Sequence, residues 1–243
     1  MKIAYLISVY KDPQQFVRML KALRGKETYF FIHVDAKVDD KIFIDKRAIF
    51  RRKMSIKFAF KDDKFSLDKL QLPSRHYHFN DNENYIKLLN IGEGIFPKDK
   101  IRTSLILDNS NLILTTESAT KIYPSKKEYG IQKIDIFLKN NSNLEFINDE
   151  LILYKDSRYI QFFNLKSDEN STFFYTDILS RGRSFENFDF SKMMIKNRFY
   201  CDKSLEYMEK FDILGDELKD YIIRKSSENF IFAKFYIKTN NNE

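Results

Sequence analysis

At 243 residues the chain can form one large domain or a large and a small one, and its 6 Gly, 4 Pro and 16% aromatic content exclude collagen-like and disordered classes. The formal net charge of +7 does not describe a basic body: residues 1–53 carry 13 Lys/Arg against 6 Asp/Glu, whereas residues 54–243 carry 29 of each. That split argues against a nucleic-acid partner and marks a composition boundary near Met54, dividing the chain into 1–53 and 54–243.

The first segment reads β-α-β. Ile3 to Val9 is a continuous apolar run, as a strand covered on both faces would be. Asp12 and Pro13 then suit an N-cap and the first helical position, Phe16, Met19, Leu20 and Leu23 recur at helical spacing, and Gly25 stops the run. Tyr29 to Asp35 is a second buried strand ending on a carboxylate.

Beyond Met54 the period becomes two. Ile101, Thr103, Leu105 and Leu107 form one row, Ile134, Ile136 and Leu138 another, and Tyr159, Gln161, Phe163 and Leu165 a third, as in strands with two unlike faces. Helical spacing returns late: Ser204 can cap a run with Leu205, Met208 and Phe211, and Asp216 a run with Leu218, Tyr221 and Ile222. A last strand is expected from Phe230 to Ile237, before a polar Asn tail.

One phrase recurs three times at near-regular spacing: Leu107-Asp108-Asn109-Ser110-Asn111-Leu112, Leu138-Lys139-Asn140-Asn141-Ser142-Asn143-Leu144, and Leu165 to Thr172. Each copy is a polar Asn/Asp/Ser turn between apolar strands, and repetition of such a unit predicts stacked strand layers over a shared core. The expected fold is mainly β: a layered or stacked, solenoid- or sandwich-like domain with a short C-terminal helical part and an N-terminal βαβ segment. No apolar run approaches the ~18 residues of a membrane helix. The short run Ile3 to Val9 is followed by no small-residue cleavage site, and the lone Cys201 forms no internal disulfide, so a cytoplasmic protein without a membrane partner is expected.

Three stretches of the body resemble the urease accessory protein family of the UreD/UreH type. Asn90-Ile91-Gly92-Glu93-Gly94-Ile95-Phe96-Pro97-Lys98-Asp99 resembles its glycine-rich turn ending in Asp. Leu114 to Tyr123, with Thr116, Thr120, Lys121 and Tyr123, resembles its Ala-Thr-Lys-Ile-Tyr stretch. Phe174 to Arg183 with Phe185-Glu186, including Asp177, Gly182, Arg183 and Glu186, resembles its strand followed by Gly-Arg and Gly-Glu. Glu93 and Lys98 replace glycines usual in the family, and Glu117 stands where Gln is common. The resemblance implies a non-enzymatic maturation scaffold acting on urease apoprotein with UreF-type and UreG-type accessory proteins. It implies no stably bound cofactor, with nickel transiting the complex during GTP hydrolysis by the UreG-type partner. Residues 1–45 resemble instead the opening of core-2/I-branching N-acetylglucosaminyltransferases, on Lys2 to Ile7, Lys11-Asp12-Pro13 and Phe30 to Asp35. That alternative implies a UDP-sugar enzyme with Asp35 facing the uridine; a non-productive chimera is the third reading.

Other chemistry-bearing residues admit simpler roles. His76 and His78 share a strand face and could contribute to a metal site, but no Cys or second His cluster supports one, and an exposed strand edge accounts for them. His33 and Asp35 end a strand, where open α/β sheets bind ligands, or form a polar pair in a fragment. Gly92-Glu93-Gly94 lacks the Lys-Ser/Thr of a phosphate loop and reads as a turn. Arg181 and Arg183 flank Gly182 in a second turn, where two guanidinium groups could meet an acidic partner or solvent. Cys201 reads as a half-buried thiol. The aromatics Tyr154, Tyr159, Phe162, Phe163, Phe173, Phe174 and Tyr175 read as mostly core, with some open to docking.

Overall fold

A computed structural model of the chain describes residues 3–9, 28–34, 53–71, 74–90, 94–225 and 231–239. The chain divides into two compact units, Met1–Arg52 and Lys53–Glu243. In the first, β1 (Ile3–Val9) and β2 (Thr28–Val34) pair in parallel, from Ile3 opposite Thr28 to Val9 opposite Val34. His33 lies in β2, in register with Ser8. The expected helix from Asp12 and the carboxylate Asp35 fall outside the described residues.

The second unit is mainly β, built as stacked strand layers with a short C-terminal helix. Strands β3 (Lys53–Lys61), β4 (Lys64–Gln71), β7 (Lys100–Asp108), β10 (Gly130–Lys139), β13 (Arg158–Ser167), β15 (Lys192–Cys201) and β16 (Ser204–Ile213) form a seven-stranded sheet. Its order is β16-β15-β13-β10-β7-β3-β4; the inner five run parallel and the two edges antiparallel. The eight-stranded sheet contains β5 (Ser74–Phe79), β6 (Tyr85–Asn90), β8 (Asn111–Thr116), β9 (Thr120–Ile122), β11 (Asn143–Ile147), β12 (Leu151–Leu153), β14 (Thr172–Ser180) and β17 (Ile231–Lys238). Parallel ladders join β6, β8, β11 and β14, while β5 and β17 add antiparallel edges.

The repeated phrase forms the corner between the sheets. Asn109, Asn140 and Asn141 take positive φ of 49°, 57° and 59°, a left-handed conformation that asparagine tolerates. Register puts the corners in line, with Lys139 opposite Asp108 and Leu138 opposite Ser167. The buried serines then form a ladder. The N–H of Asp63 donates to Ser110 Oγ at 2.9 Å, that of Ser110 to Ser142 Oγ at 3.2 Å, and that of Ser142 to Ser171 Oγ at 3.1 Å. Outside it, Asn109 Nδ2 donates to Asp62 Oδ1 at 2.8 Å and Asn140 Nδ2 to Asp108 Oδ1 at 2.6 Å. The turns at 62–63 and 202–203 extend the stack by hairpins, with Asp202 N–H donating to Ser167 O at 2.7 Å.

The alternating rows place their expected residues inward. Near the corners, Phe58, Leu105, Ile136 and Phe163 meet Leu114, Phe146 and Tyr175 in one apolar cluster. At the opposite strand ends, Met54, Ile101, Tyr159 and Met193 meet Ile95, Ile122, Leu153 and Leu179 in a second. Burying each such side chain contributes roughly 1.5–3 kcal/mol. Of the seven aromatics expected mostly as core, Tyr159, Phe163, Phe173 and Tyr175 are buried, while Tyr154, Phe162 and Phe174 are partly exposed.

Two helical expectations need correction. Ser204–Ile213 is β16, not a helix: its backbone pairs with β15 from Met193 opposite Ile213 to Cys201 opposite Ser204. The spacing of Leu205, Met208 and Phe211 loses to that ladder, and Leu205 and Met208 are exposed. The second run is helical, α1 (Gly215–Lys225), with Leu218 and Ile222 buried in the second cluster. Its cap is not Asp216 but Leu214, whose carbonyl accepts from Leu218 N–H at 3.1 Å and whose N–H donates to Glu217 Oε2 at 2.7 Å. No helix among the described residues is long and apolar enough to cross a membrane.

Candidate functional site

The three motif stretches come together at the end of the layers remote from the serine corners. Gly94 has φ +132°, and a Cβ there would stand 2.2 Å from Lys121 O, so a side chain is excluded where the first stretch crosses the second. The crossing is held by Ile95 N–H on Lys121 O at 2.7 Å and Tyr123 N–H on Ile95 O at 2.9 Å. Asp99 is buried, and its carboxylate accepts Phe96 N–H at 3.0 Å, closing the turn. Thr116 Oγ1 accepts Asp149 N–H at 2.9 Å and donates to Asp149 Oδ2 at 3.1 Å. Thr120 N–H donates to Glu150 O at 2.8 Å.

From that crossing an aromatic and guanidinium stack runs into the third stretch. Tyr123 stacks on Phe96 at 4.2 Å and meets Tyr154 edge-on at 5.3 Å. The Arg183 guanidinium lies 4.4 Å over Tyr154, and its Nε donates to Glu186 Oε1 at 2.9 Å. Glu186 Oε2 accepts the N–H groups of Arg183 at 3.0 Å and Lys155 at 3.1 Å. Gly182, at φ +116°, opens this turn. Arg183 and Glu186 are therefore engaged within the chain. Asn90 ends β6 opposite Ser74, and Gly92 lies outside the described residues.

Beside the crossing is a cavity of about 100 Å³, lined by Gly94, Thr103, Thr116, Thr120, Lys121 and Gln132 among others. Gln132 begins a row of polar side chains that runs between the sheets. Tyr159 donates from its phenol, which is 2.6 Å from Gln132 Oε1 and 3.0 Å from Gln161 Oε1. Gln161 Nε2 donates to Asp177 Oδ1 at 3.2 Å and to Tyr175 Oη at 3.4 Å. Asp177 Oδ1 also accepts from Tyr175 at 2.7 Å, and its Oδ2 from Asn197 Nδ2 at 2.6 Å. Asn197 Nδ2 continues to Tyr236 Oη at 3.0 Å, and Tyr236 donates to Glu209 Oε2 at 2.5 Å. Lys234 Nζ ends the row on Glu209 Oε2 at 2.6 Å. Gln161 falls between Tyr159 and Phe163, and Asn197 between Ile195 and Phe199, so the row separates the two apolar clusters.

The electrostatics of the row are set by its enclosure. Burial, reinforced by the Asp177 charge, pushes the Tyr159 and Tyr175 phenols well above the usual range, so both remain neutral donors. Burial, then the bond to Glu209, pushes Tyr236 the same way. Burial raises the Glu209 carboxyl, but the bonds from Lys234 and Tyr236 outweigh it, and the net shift is downward.

His76 and His78 do share a face of β5, as expected, but that face lies against aromatic rings. Phe65 is 5.3 Å from His76 and 4.8 Å from His78, and His78 Nε2 bonds to Asn84 Oδ1 at 3.3 Å. Burial, then the neighbouring His78, lowers the His76 pKa. Among the described residues no three His, Cys, Asp or Glu converge as a metal cluster. Cys201 is half-buried, as expected. Of the row, only Asp177 was singled out by motif. Gln161 and Asn197 carry one readable sign each, a polar residue at the inward parity of an otherwise apolar strand.

Comparison with known proteins accounts for the same stretches. Residues 69–236 match the family described as UreD urease accessory protein. A protein named urease accessory protein UreD, from Aliarcobacter butzleri (strain RM4018), is 90% identical over 190 residues, covering 78% of this chain and 76% of its own. Proteins of that name from Staphylococcus epidermidis (strain ATCC 12228 / FDA PCI 1200) and Bacillus sp. (strain TB-90) are 34% and 36% identical over 135 and 110 residues. These cover 54% and 45% of this chain, which spans only 48% and 41% of their lengths. The matches support a role in urease maturation and give no support to the transferase alternative. With all three motif stretches inside the matched region, the chain belongs to the UreD urease accessory protein family.

Proposed function

We propose that the chain is a non-enzymatic scaffold in urease maturation that joins urease apoprotein to UreF-type and UreG-type accessory proteins and gives nickel an enclosed polar route. The observation that carries this reading is the polar row from Gln132 to Glu209 between two apolar clusters. Isolated buried polar groups cost free energy. A connected row of amides, phenols and carboxylates offers oxygen donors across a core that would otherwise be closed to a divalent cation. Asp177 supplies negative charge midway, held by the neutral donors Tyr175, Gln161 and Asn197. Nickel is cargo in this reading, and no stable resident cofactor is assigned.

The motif residues Gly94, Asp99, Tyr123, Arg183 and Glu186 hold the mouth of the row in shape. Thr116, Thr120 and Lys121 line the adjoining cavity. Residues 1–53 are an added segment outside this role, and the lone Cys201 suits a reducing, cytoplasmic setting. The test is deletion of the gene in its host. Urease protein is expected at normal abundance, nickel-poor and inactive, with activity restored by the wild-type gene. Full urease activity in the deletion strain overturns the proposal.

A further inference from the structure

Residues 54–243 carry as many acidic as basic side chains, yet the charges are not spread evenly over the folded body. On the seven-stranded sheet, the residues that alternate with the buried core side chains point outward. Register lines up Arg102, Lys133, Phe162, Lys196 and Lys210 in one row across β7, β10, β13, β15 and β16. The next row holds Lys57, Ser104, Asp135, Asn164 and Arg198 across β3, β7, β10, β13 and β15. Apolar bands border the two rows. One is Ile131, Ile160 and Met194; the other is Ile106, Phe137 and Tyr200, with the Lys166 ammonium over the Phe137 and Tyr200 rings.

These rows hold more positive charge than the fold itself neutralises. Asp135 serves both Arg102 and Lys133, each at 3.2 Å, and Asp212 serves Lys192 at 2.6 Å and Lys210 at 2.8 Å. Lys196 and Arg198 have no acidic partner among the described residues. Lys196 stands directly opposite Lys210, and Lys57 opposite Lys69, across antiparallel ladders, where like charges destabilise the pairing. Lysine on an edge strand discourages edge-to-edge pairing, which accounts for Lys69 on β4 and Lys210 on β16. It does not account for Arg102, Lys133, Lys196 and Arg198, which lie on inner strands. An excess of one charge that is unfavourable within the fold fits a counter-charge from outside it. A phosphate polyanion would meet the Asp135 and Asp212 carboxylates on the same face. A protein surface can set its carboxylates at the cations and its apolar side chains along the two bands. Resting on the maturation-scaffold reading, we propose that this face docks an acidic stripe, bordered by apolar side chains, on a partner protein of the maturation complex.

The test is biolayer interferometry of the purified full chain, without nickel, against three purified proteins of its host: urease apoprotein, the UreF-type protein and the UreG-type protein. The double variant Lys196→Glu with Arg198→Glu is expected to bind one of the three about tenfold or more weakly than wild type. The difference is expected to shrink between about 50 and 500 mM NaCl. Lys196→Gln with Arg198→Gln removes the charge without reversing it and is expected to lose less. Lys87→Glu, on a strand of the eight-stranded sheet, is expected to bind as wild type does. Lys196→Glu alone places a carboxylate opposite Lys210, so its melting temperature is expected to be no lower than that of wild type, which separates docking from folding. Binding of all three proteins unchanged in the double variant overturns the proposal, as does failure of the wild-type chain to bind any of them. An equal loss in Lys87→Glu overturns it too, because net charge alone would then explain the binding. A short RNA duplex or phosphatidylserine vesicles bound by wild type and lost in the double variant, with protein binding intact, assigns the face to phosphate instead. The deletion test reads nickel in urease whichever face docks, and this one reads association without nickel, so the two claims fall separately.

Discussion

The backbone N–H of Ser110 donates to the Ser142 hydroxyl at 3.2 Å, joining corners that are 32 residues apart in sequence. Ser142 Oγ in turn donates to Lys139 O at 2.7 Å, so one hydroxyl closes its own turn and holds the next. Ser142→Ala leaves the buried Ser110 N–H without its acceptor, and is expected to destabilise the β body by about 1–3 kcal/mol. Urea denaturation followed by circular dichroism measures this. Ser66→Ala, at an exposed hydroxyl on the edge strand β4, serves as the control with an expected change below about 0.5 kcal/mol.

Gly94→Ala strikes the crossing of the first two motif stretches. The new methyl would meet Lys121 O, a backbone atom that cannot swing away, at a backbone φ that alanine rarely adopts. The expected cost is about 2 kcal/mol or more, with loss of urease activation in parallel. Thermal unfolding and a urease activity assay on the same variant check both. Normal stability with lost activation would move Gly94 from architecture to partner contact.

Arg183 and Glu186 separate in the opposite direction from that expected for a purely partner-facing pair. Glu186→Ala removes an acceptor from two backbone N–H groups and from Arg183, and is expected to cost about 1–3 kcal/mol. Arg183→Ala loses one exposed ion pair and a ring contact, expected at about 1 kcal/mol. Denaturation midpoints of the two variants give the order. An Arg183→Ala protein as stable as wild type but inactive in urease maturation would assign the guanidinium to a partner.

Acid sensitivity is expected at Asp212. The bonds from Lys192 and then Lys210 hold its carboxyl at about 2 in the folded chain, below the usual carboxylate value. A depressed folded pKa contributes stability above roughly pH 4 that is lost as the pH falls through about 2. Asp212→Asn should lower the melting temperature between pH 6 and 8 and bring the two proteins together near pH 2, so that part of the acid limb is flatter in the variant. Melting temperatures of the two proteins from pH 2 to 8 test it, and parallel acid limbs would contradict it.

Much of the layered body was legible because alternation is local. Tyr159, Gln161, Phe163 and Leu165 all turn inward as their spacing requires, and the repeated Asn/Ser phrase forms the corners that its residues favour. Strand β16 was misread because Leu205, Met208 and Phe211 also fit a helix, and pairing with β15 is a non-local fact. The motif stretches were found by resemblance, but their meeting through Phe96, Tyr123, Tyr154 and Arg183 depends on the stacking of separate layers. The polar row was the least legible part. Gln132, Gln161, Asn197, Glu209 and Tyr236 come from five strands, and each reads alone as an ordinary polar residue.

The most direct test of the central claim is the nickel content of urease matured by a chain carrying Gln161→Met. This substitution keeps the volume of the side chain but removes the amide linking Tyr159 to Asp177, while the motif surface stays intact. Urease purified from such cells, with the variant still co-purifying in the maturation complex, is predicted to be nickel-poor and inactive. Fully nickel-loaded urease from the same cells would contradict the account.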